Sequence, residues 1–198
     1  MNEYRRKLPH YHPDHAYLFL TWRLWGTLPR HRSTEATIAH SSAGHRFVAQ
    51  DRLLDGHGKG PARLQDSRIA QLVAKAILIG EVERHFYDLS AWVVMPNHVH
   101  LLILPLVPVA QLMRWLKGST ARAANRILGR TGQPFWQDES WDHYLRHSDQ
   151  INRTIRYIEG NPVSAGLVGS PERWPWSSAG WQAKPPAPPD PASDQTEM

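Results

Sequence analysis

A chain of 198 residues with 41% hydrophobic composition is long enough for one substantial core, so one domain with irregular ends is the natural arrangement. The absence of cysteine excludes disulfides and thiolate metal sites and favours a reducing cytoplasm; no signal core precedes Lys7, and the longest apolar run, Leu101 to Ala110, is too short and Pro-broken to span a membrane. A net charge of +5, from 23 Lys and Arg against 18 Asp and Glu, favours a polyanionic partner, and nine Trp interleaved with Arg suit stacking on unpaired bases, although most Trp side chains in any protein are core.

Tyr4, Arg5 and Arg6 begin a basic cluster that runs into His10, His12 and His15, a terminal histidine group better read as solvated than as metal-binding. Ala16 to Trp22 predicts a first strand near the centre of a sheet. Leu28 to Gln65 reads as a long insertion with one short helix around Gly44 to Leu54. Its Gly56-His57-Gly58-Lys59-Gly60 lacks the strand and helix that flank a phosphate loop, and reads as a turn. Asp66 or Ser67 caps a helix ending near His85, buried through Ile69, Leu72, Val73, Ala76, Ile77 and Gly80. Phe86–Met95 and Asn97–Leu104 predict two mid-sheet strands joined through Met95-Pro96-Asn97 as an antiparallel hairpin. Side chains alternate along a strand, so His98 and His100 share a face, expected to be partly open.

Val109 to Leu128 predicts a second helix, buried through Leu112, Met113, Leu116, Thr120, Ala123 and Ile127. Its other side carries Arg114, Lys117, Arg122 and Arg126, either a solvated face or a ridge for nucleic acid, with Gly118 allowing a backbone close. Ser140 to Arg146 is a short strand. Ser148 caps a third helix that Asn161-Pro162 should end at about Gly160. Trp174-Pro175-Trp176-Ser177-Ser178 reads as a docking segment, and the Pro-rich tail from 182 is expected to be disordered. Strand, helix, strand, strand, helix, strand is the split βαβ order of an α+β, ferredoxin-like sandwich with an antiparallel sheet, here one domain over 1–181 with an added C-terminal helix.

At about 100° per residue, Ile151, Ile155 and Ile158 form the buried stripe of that added helix, while Tyr157 and Asn161 share a face at its margin, with Arg153 one turn earlier. A phenol, a guanidinium and a carboxamide so aligned suit a phosphate-attacking nucleophile beside a metal ligand. His143 reads as a plain sheet residue, and Tyr144 lacks the companions that Tyr157 has.

His98-Val99-His100 after Met95-Pro96-Asn97, followed by Tyr157 in Ile155-Arg156-Tyr157-Ile158-Glu159-Gly160-Asn161-Pro162, resembles the single-tyrosine HUH transposases, and among them the REP-associated tyrosine transposases. Tyr4-Arg5-Arg6, Leu116 to Arg122, Phe135-Trp136-Gln137 and Trp174-Pro175-Trp176-Ser177 agree, so the likeness covers about residues 4 to 180. The resemblance implies that His98, His100 and Asn161 hold Mg²⁺ or Mn²⁺, and that Tyr157 attacks single-stranded or hairpin DNA to give a 5′-phosphotyrosine link. Asn161 stands where the insertion-sequence branch has Gln. DNA contacts are expected from Arg153, Arg114, Lys117, Arg122, Arg126, Tyr4, Arg5 and Arg6, in a monomer or homodimer. The contrasting expectation is a domesticated module that binds hairpin DNA or RNA without cutting it.

Overall fold

The computed structural model describes residues 16–27 and 60–182, together with the backbones of two short paired strands, β1 (Asn2–Arg5) and β2 (Pro9–His12). The remaining elements are β3 (Tyr17–Arg23), α1 (Ser67–Val82), β4 (Tyr87–Val94), β5 (His98–Pro105), α2 (Val109–Ile127), β6 (Trp141–Leu145), α3 (Ser148–Ser164) and α4 (Ser178–Gln182). The expected helix at 44–54, the turn at 56–59 and the tail from 183 lie outside the described residues.

β3 to β6 form one antiparallel sheet in the order β4-β5-β3-β6, the ferredoxin-like arrangement anticipated from the element order. Only one arm of the hairpin is central, contrary to expectation: β5 lies inside the sheet, whereas β4 is an edge strand. That edge is covered by the Trp174–Ser178 segment. Val94 N–H donates to Trp176 O at 2.8 Å, Trp174 Nε1 donates to Val94 O at 3.0 Å, and Val93 bridges Ser177. An exposed β4 would offer unpaired backbone groups to another chain, and this strap pairs those at its Trp92–Val94 end.

Pleating divides the sheet into two faces. Leu18, Leu20 and Trp22 of β3, with Leu24 just beyond it, and Val99, Leu101 and Ile103 of β5 face the layer of α1 and α2. Phe19 and Leu102 face α3, packing with Ala91, Val93, Met95, Leu145 and Ile158. β4 serves both faces because a bulge between Leu89 and Ala91 reverses its parity, moving the inward set from Tyr87 and Leu89 to Trp92 and Val94. α1 begins as expected, the Asp66 side chain accepting from Arg68 N–H at 3.0 Å. α2 rotates slightly from expectation: Ala124 and Asn125 are buried in place of Ala123 and Ile127, and Ile127 is exposed.

α3 departs most. Its N-cap is His147, with no side-chain cap bond, and not Ser148; and it runs through Asn161-Pro162 to Ser164. Pro162 supplies no N–H to the carbonyl a turn earlier, which ordinarily breaks a helix. Burial of Ile158, Asn161 and Pro162 against the sheet offsets that loss, and the end closes with Ala165 N–H on Asn161 O and Leu167 N–H on Pro162 O, both at 2.9 Å. Asn161 is therefore fixed inside the helix and not frayed at its end.

Gly80 of α1 is required by Tyr87, whose buried hydroxyl donates to Ile77 O at 2.7 Å and whose pKa burial drives upward. A Cβ at position 80 would overlap the Tyr87 ring and hydroxyl. Gly80→Ala is therefore expected to destabilise the fold by about 1–3 kcal/mol in chemical denaturation, and stability equal to wild type would refute this packing.

Candidate active site

β3 and β5 pair with Thr21 opposite His100 and Arg23 opposite His98. Directly opposed residues bring their side chains together on one face. Thr21 Oγ1 lies 2.7 Å from His100 Nδ1, and Asn97 Oδ1 lies 2.7 Å from His98 Nδ1. With Nδ1 of each ring engaged, the two Nε2 atoms face each other at 3.1 Å. Thr21 and Asn97 were not singled out by the sequence reading. Thr21 had a signal, being the one hydroxyl in the apolar run Leu18 to Trp22.

Both imidazoles have 0% exposure, so the expectation of a partly open histidine face is corrected. α3 covers that face through Ile158, and Phe19 lies against it. The Phe19 ring is 5.4 Å from His100, 5.5 Å from Trp141 and 6.1 Å from Tyr157, measured between centroids.

Tyr157 is half-buried, and its ring lies 5.9 Å from that of His100. Asn161 follows one helical turn later on the same side, 2% exposed, with its Oδ1 buried. The structure thus draws His98, His100 and Tyr157 together, with Asn161 on the adjoining turn. Arg153 is exposed on the outer side of α3, its Nε donating to Asp149 O at 3.2 Å, beside a shallow cavity shared with Asn152 and Arg156.

The remaining basic residues fall into three groups. Arg114, Arg122 and Arg126 are exposed on α2, and the Arg122 guanidinium lies over Gly118, covering the place where a backbone was expected to approach. Lys117 instead clamps the loop before β6, donating to Gln137 O and Asp138 O at 2.7 Å each. The same loop is held by Trp136 Nε1 donating to Thr120 Oγ1 at 2.9 Å. The side chains of Tyr4, Arg5 and Arg6 lie outside the described residues, as do those of His10, His12 and His15. His143 is exposed on β6, stacked between Trp141 and Tyr144, and partial desolvation lowers its pKa. Tyr144 is engaged by Arg146, whose guanidinium lies 4.8 Å from its ring centroid.

Among the described residues no group of three or more His, Cys, Asp or Glu forms a metal cluster, so within them a third protein ligand to the histidine pair would be of another type. Asn161 is of that type. The pair itself fits a metal ion: ligand nitrogens at right angles around an ion with bonds near 2.1 Å stand about 3 Å apart, close to the observed 3.1 Å. Hydrogen bonds between the Nδ1 atoms and Thr21 and Asn97 are the kind of second layer that orients metal-binding imidazoles.

Comparison with known proteins finds likenesses to transposases. A family model described as Transposase IS200 like matches residues 65–161, the stretch from the start of α1 to Asn161, which contains both histidines and Tyr157. A protein of Haemophilus influenzae, provisionally named a REP-associated tyrosine transposase, is 27% identical over 108 residues, 48% of this chain. The match spans about three-fifths, 61%, of that relative. A solved structure of a REP-associated tyrosine transposase bound to a REP hairpin superposes with a TM-score of 0.57 at 25% identity, covering 100% of this chain and 95% of that one.

Proposed function

We propose that this chain, which a model of IS200-like transposases matches over residues 65–161, nicks and rejoins single-stranded DNA at hairpin sites through a tyrosine-linked intermediate. The observation that carries the proposal is the convergence of two imidazole Nε2 atoms, 3.1 Å apart, with the Tyr157 ring 5.9 Å from His100. Support also comes from the relative whose structure holds a REP hairpin.

In this scheme the Tyr157 hydroxyl oxygen forms a bond to the scissile phosphorus and the bond from phosphorus to the 3′-oxygen breaks. The products are a 5′-phosphotyrosine and a strand ending in a 3′-hydroxyl, which takes up the proton that the phenol gives up. A free tyrosine with a pKa of about 10 is a poor nucleophile at pH 7, so the site must favour the phenolate. His98, His100 and Asn161 are the residues that would hold Mg²⁺ or Mn²⁺, which when bound polarises the phosphate as a Lewis acid. Phe19 and Ile158 exclude water around the imidazoles, strengthening every charge interaction there. The phosphodiester energy is kept in the tyrosyl link, so rejoining by a 3′-hydroxyl needs no nucleotide cofactor.

A second reading, a module that holds hairpin DNA without cutting it, draws on the complete burial of His98 and His100. The two separate cleanly. Wild-type protein with Mn²⁺ and labelled single-stranded palindromes from its own genome is expected to yield a covalent adduct, and Tyr157→Phe none. An adduct with Tyr157→Phe, or none with wild type on palindromes it binds, would sink the cleavage proposal.

The histidine supports carry their own expectation. Thr21→Val keeps the shape of the side chain and removes the oxygen beside His100 Nδ1. Mn²⁺ affinity should drop by about 10–100-fold, and Thr21→Ser should restore most of it in calorimetric titration; equal affinity in wild type and the Val variant would contradict the assignment.

A further inference from the structure

β6 lies at the edge of the sheet beside β3, and among the described residues no further strand pairs with it. Its register places Trp141 opposite Thr21 and His143 opposite Phe19, while Thr21 in turn stands opposite His100. Directly opposed residues share a face, so Trp141 and His143 lie on the α3 side, the side of both imidazoles and Tyr157. Trp141, Thr21 and His100 thus form one rung across three strands. Two strand spacings of about 4.8 Å put Trp141 roughly 10 Å from the histidine strand.

The aromatic rings here form a row. Trp141 and His143 are nearly parallel, at 20° with centroids 5.7 Å apart, and Phe19 meets the Trp141 ring edge-on at 5.5 Å. The same Phe19 ring lies 6.1 Å from Tyr157 and so links the row to the tyrosine. At the outer end Tyr144 lies at 28° to His143, with the Arg146 guanidinium over its ring. Phe19 is buried, Trp141 half-buried and His143 exposed, so the row runs from the core into solvent. The strand alone reveals none of this, and His143 read from the sequence as a plain sheet residue.

We propose that Trp141 and His143 form a stacking platform for one unpaired nucleobase of the DNA, close to the phosphate that Tyr157 attacks. The proposal rests on single-stranded DNA being the substrate. Aromatic side chains hold unpaired bases by stacking, and every base has a π-face to offer. Bases inside a duplex already stack on each other, so the platform selects the unpaired flank of a hairpin over its stem. Phe19 joins the platform to Tyr157, which places the held base within a few nucleotides of the scissile phosphate. Holding that base fixes the register of the strand and therefore which phosphate meets the tyrosine. Asp142, between the two rings in sequence, pairs with Leu20 on the α1 and α2 side and so points away from the bound strand.

The test uses the full chain without divalent metal, so that binding is read apart from cleavage. Affinity for a labelled hairpin with a single-stranded flank is measured by fluorescence anisotropy for wild type, Trp141→Leu, His143→Ala and His143→Phe. Trp141→Leu and His143→Ala should each bind at least about fivefold more weakly. The slope of log K against log salt should stay unchanged for Trp141→Leu, since no phosphate contact is lost. His143→Phe keeps a ring and should bind as wild type does. An abasic position moved along the flank should weaken wild-type binding at one place, and the same abasic DNA should cost the two weakened variants nothing further. His143→Phe as weak as His143→Ala would mark a hydrogen bond or a charge in place of stacking, and would overturn the proposal. So would an abasic cost that persists in full in both weakened variants, the sign of a merely structural role. A wild-type dimer that becomes monomeric in His143→Ala, with DNA affinity unchanged, would assign β6 to a second copy of the chain and overturn it too. Trp141 packs on Phe19, so if Trp141→Leu does not fold, the two variants of exposed His143 decide the matter. Wild type that binds no hairpin would overturn this proposal and the DNA-processing reading together, whereas equal binding by all four proteins would overturn only the platform.

Discussion

The register of β3 against β5 is the constraint on which the site depends. Placing Thr21 opposite His100 turns one ring nitrogen toward a buried hydroxyl, and the turn residue Asn97 does the same for His98. What is left is a pair of Nε2 atoms aimed at each other across 3.1 Å. With Nδ1 of His98 donating to the Asn97 carboxamide, its Nε2 carries a lone pair. Two lone pairs at that separation would repel, so the arrangement suits the sharing of a single cation between the rings. A one-residue slip of β5 would send both histidines into the layer of α1 and α2. The buried Val99, Leu101 and Ile103 prevent it.

A second constraint closes the site from above. α3 packs on the opposite side of the sheet from α1 and α2, with Ile158 filling the space beside Phe19 and Leu102. That contact sets the helix rotation and brings Tyr157 and Asn161 to the histidine side. Ser178 ties the arrangement down at the β4 edge, donating to Glu159 of α3 at 2.8 Å and accepting from Trp92 N–H at 3.3 Å. The strap that protects an edge strand thereby also holds the helix that carries the tyrosine.

Much of this was legible in the sequence, because it depends on local periodicity. Alternation in Val93 to Leu104 placed both histidines on one face, and the 3.6-residue repeat of Ile151, Ile155 and Ile158 placed Tyr157 with Asn161. The order of elements was enough for the ferredoxin-like topology. Features set by contacts between distant segments were not legible. The run of α3 through Pro162 reflects burial overriding a local preference, and the closure of the histidine face reflects α3 docking over it. Lys117 read as part of a basic ridge because nothing in its own helix reveals the carbonyls of Gln137 and Asp138. Thr21 gains meaning only from its distant partner His100.

The central claim is that His98, His100 and Asn161 form one metal centre beside Tyr157. Anomalous diffraction from crystals of the protein soaked in Mn²⁺ tests it most directly. The expected result is a single strong peak bonded to both imidazole Nε2 atoms and to Asn161 Oδ1, with the Tyr157 hydroxyl facing it. A fully soaked crystal with no peak between the two imidazoles, or with its peak elsewhere in the chain, would contradict the account.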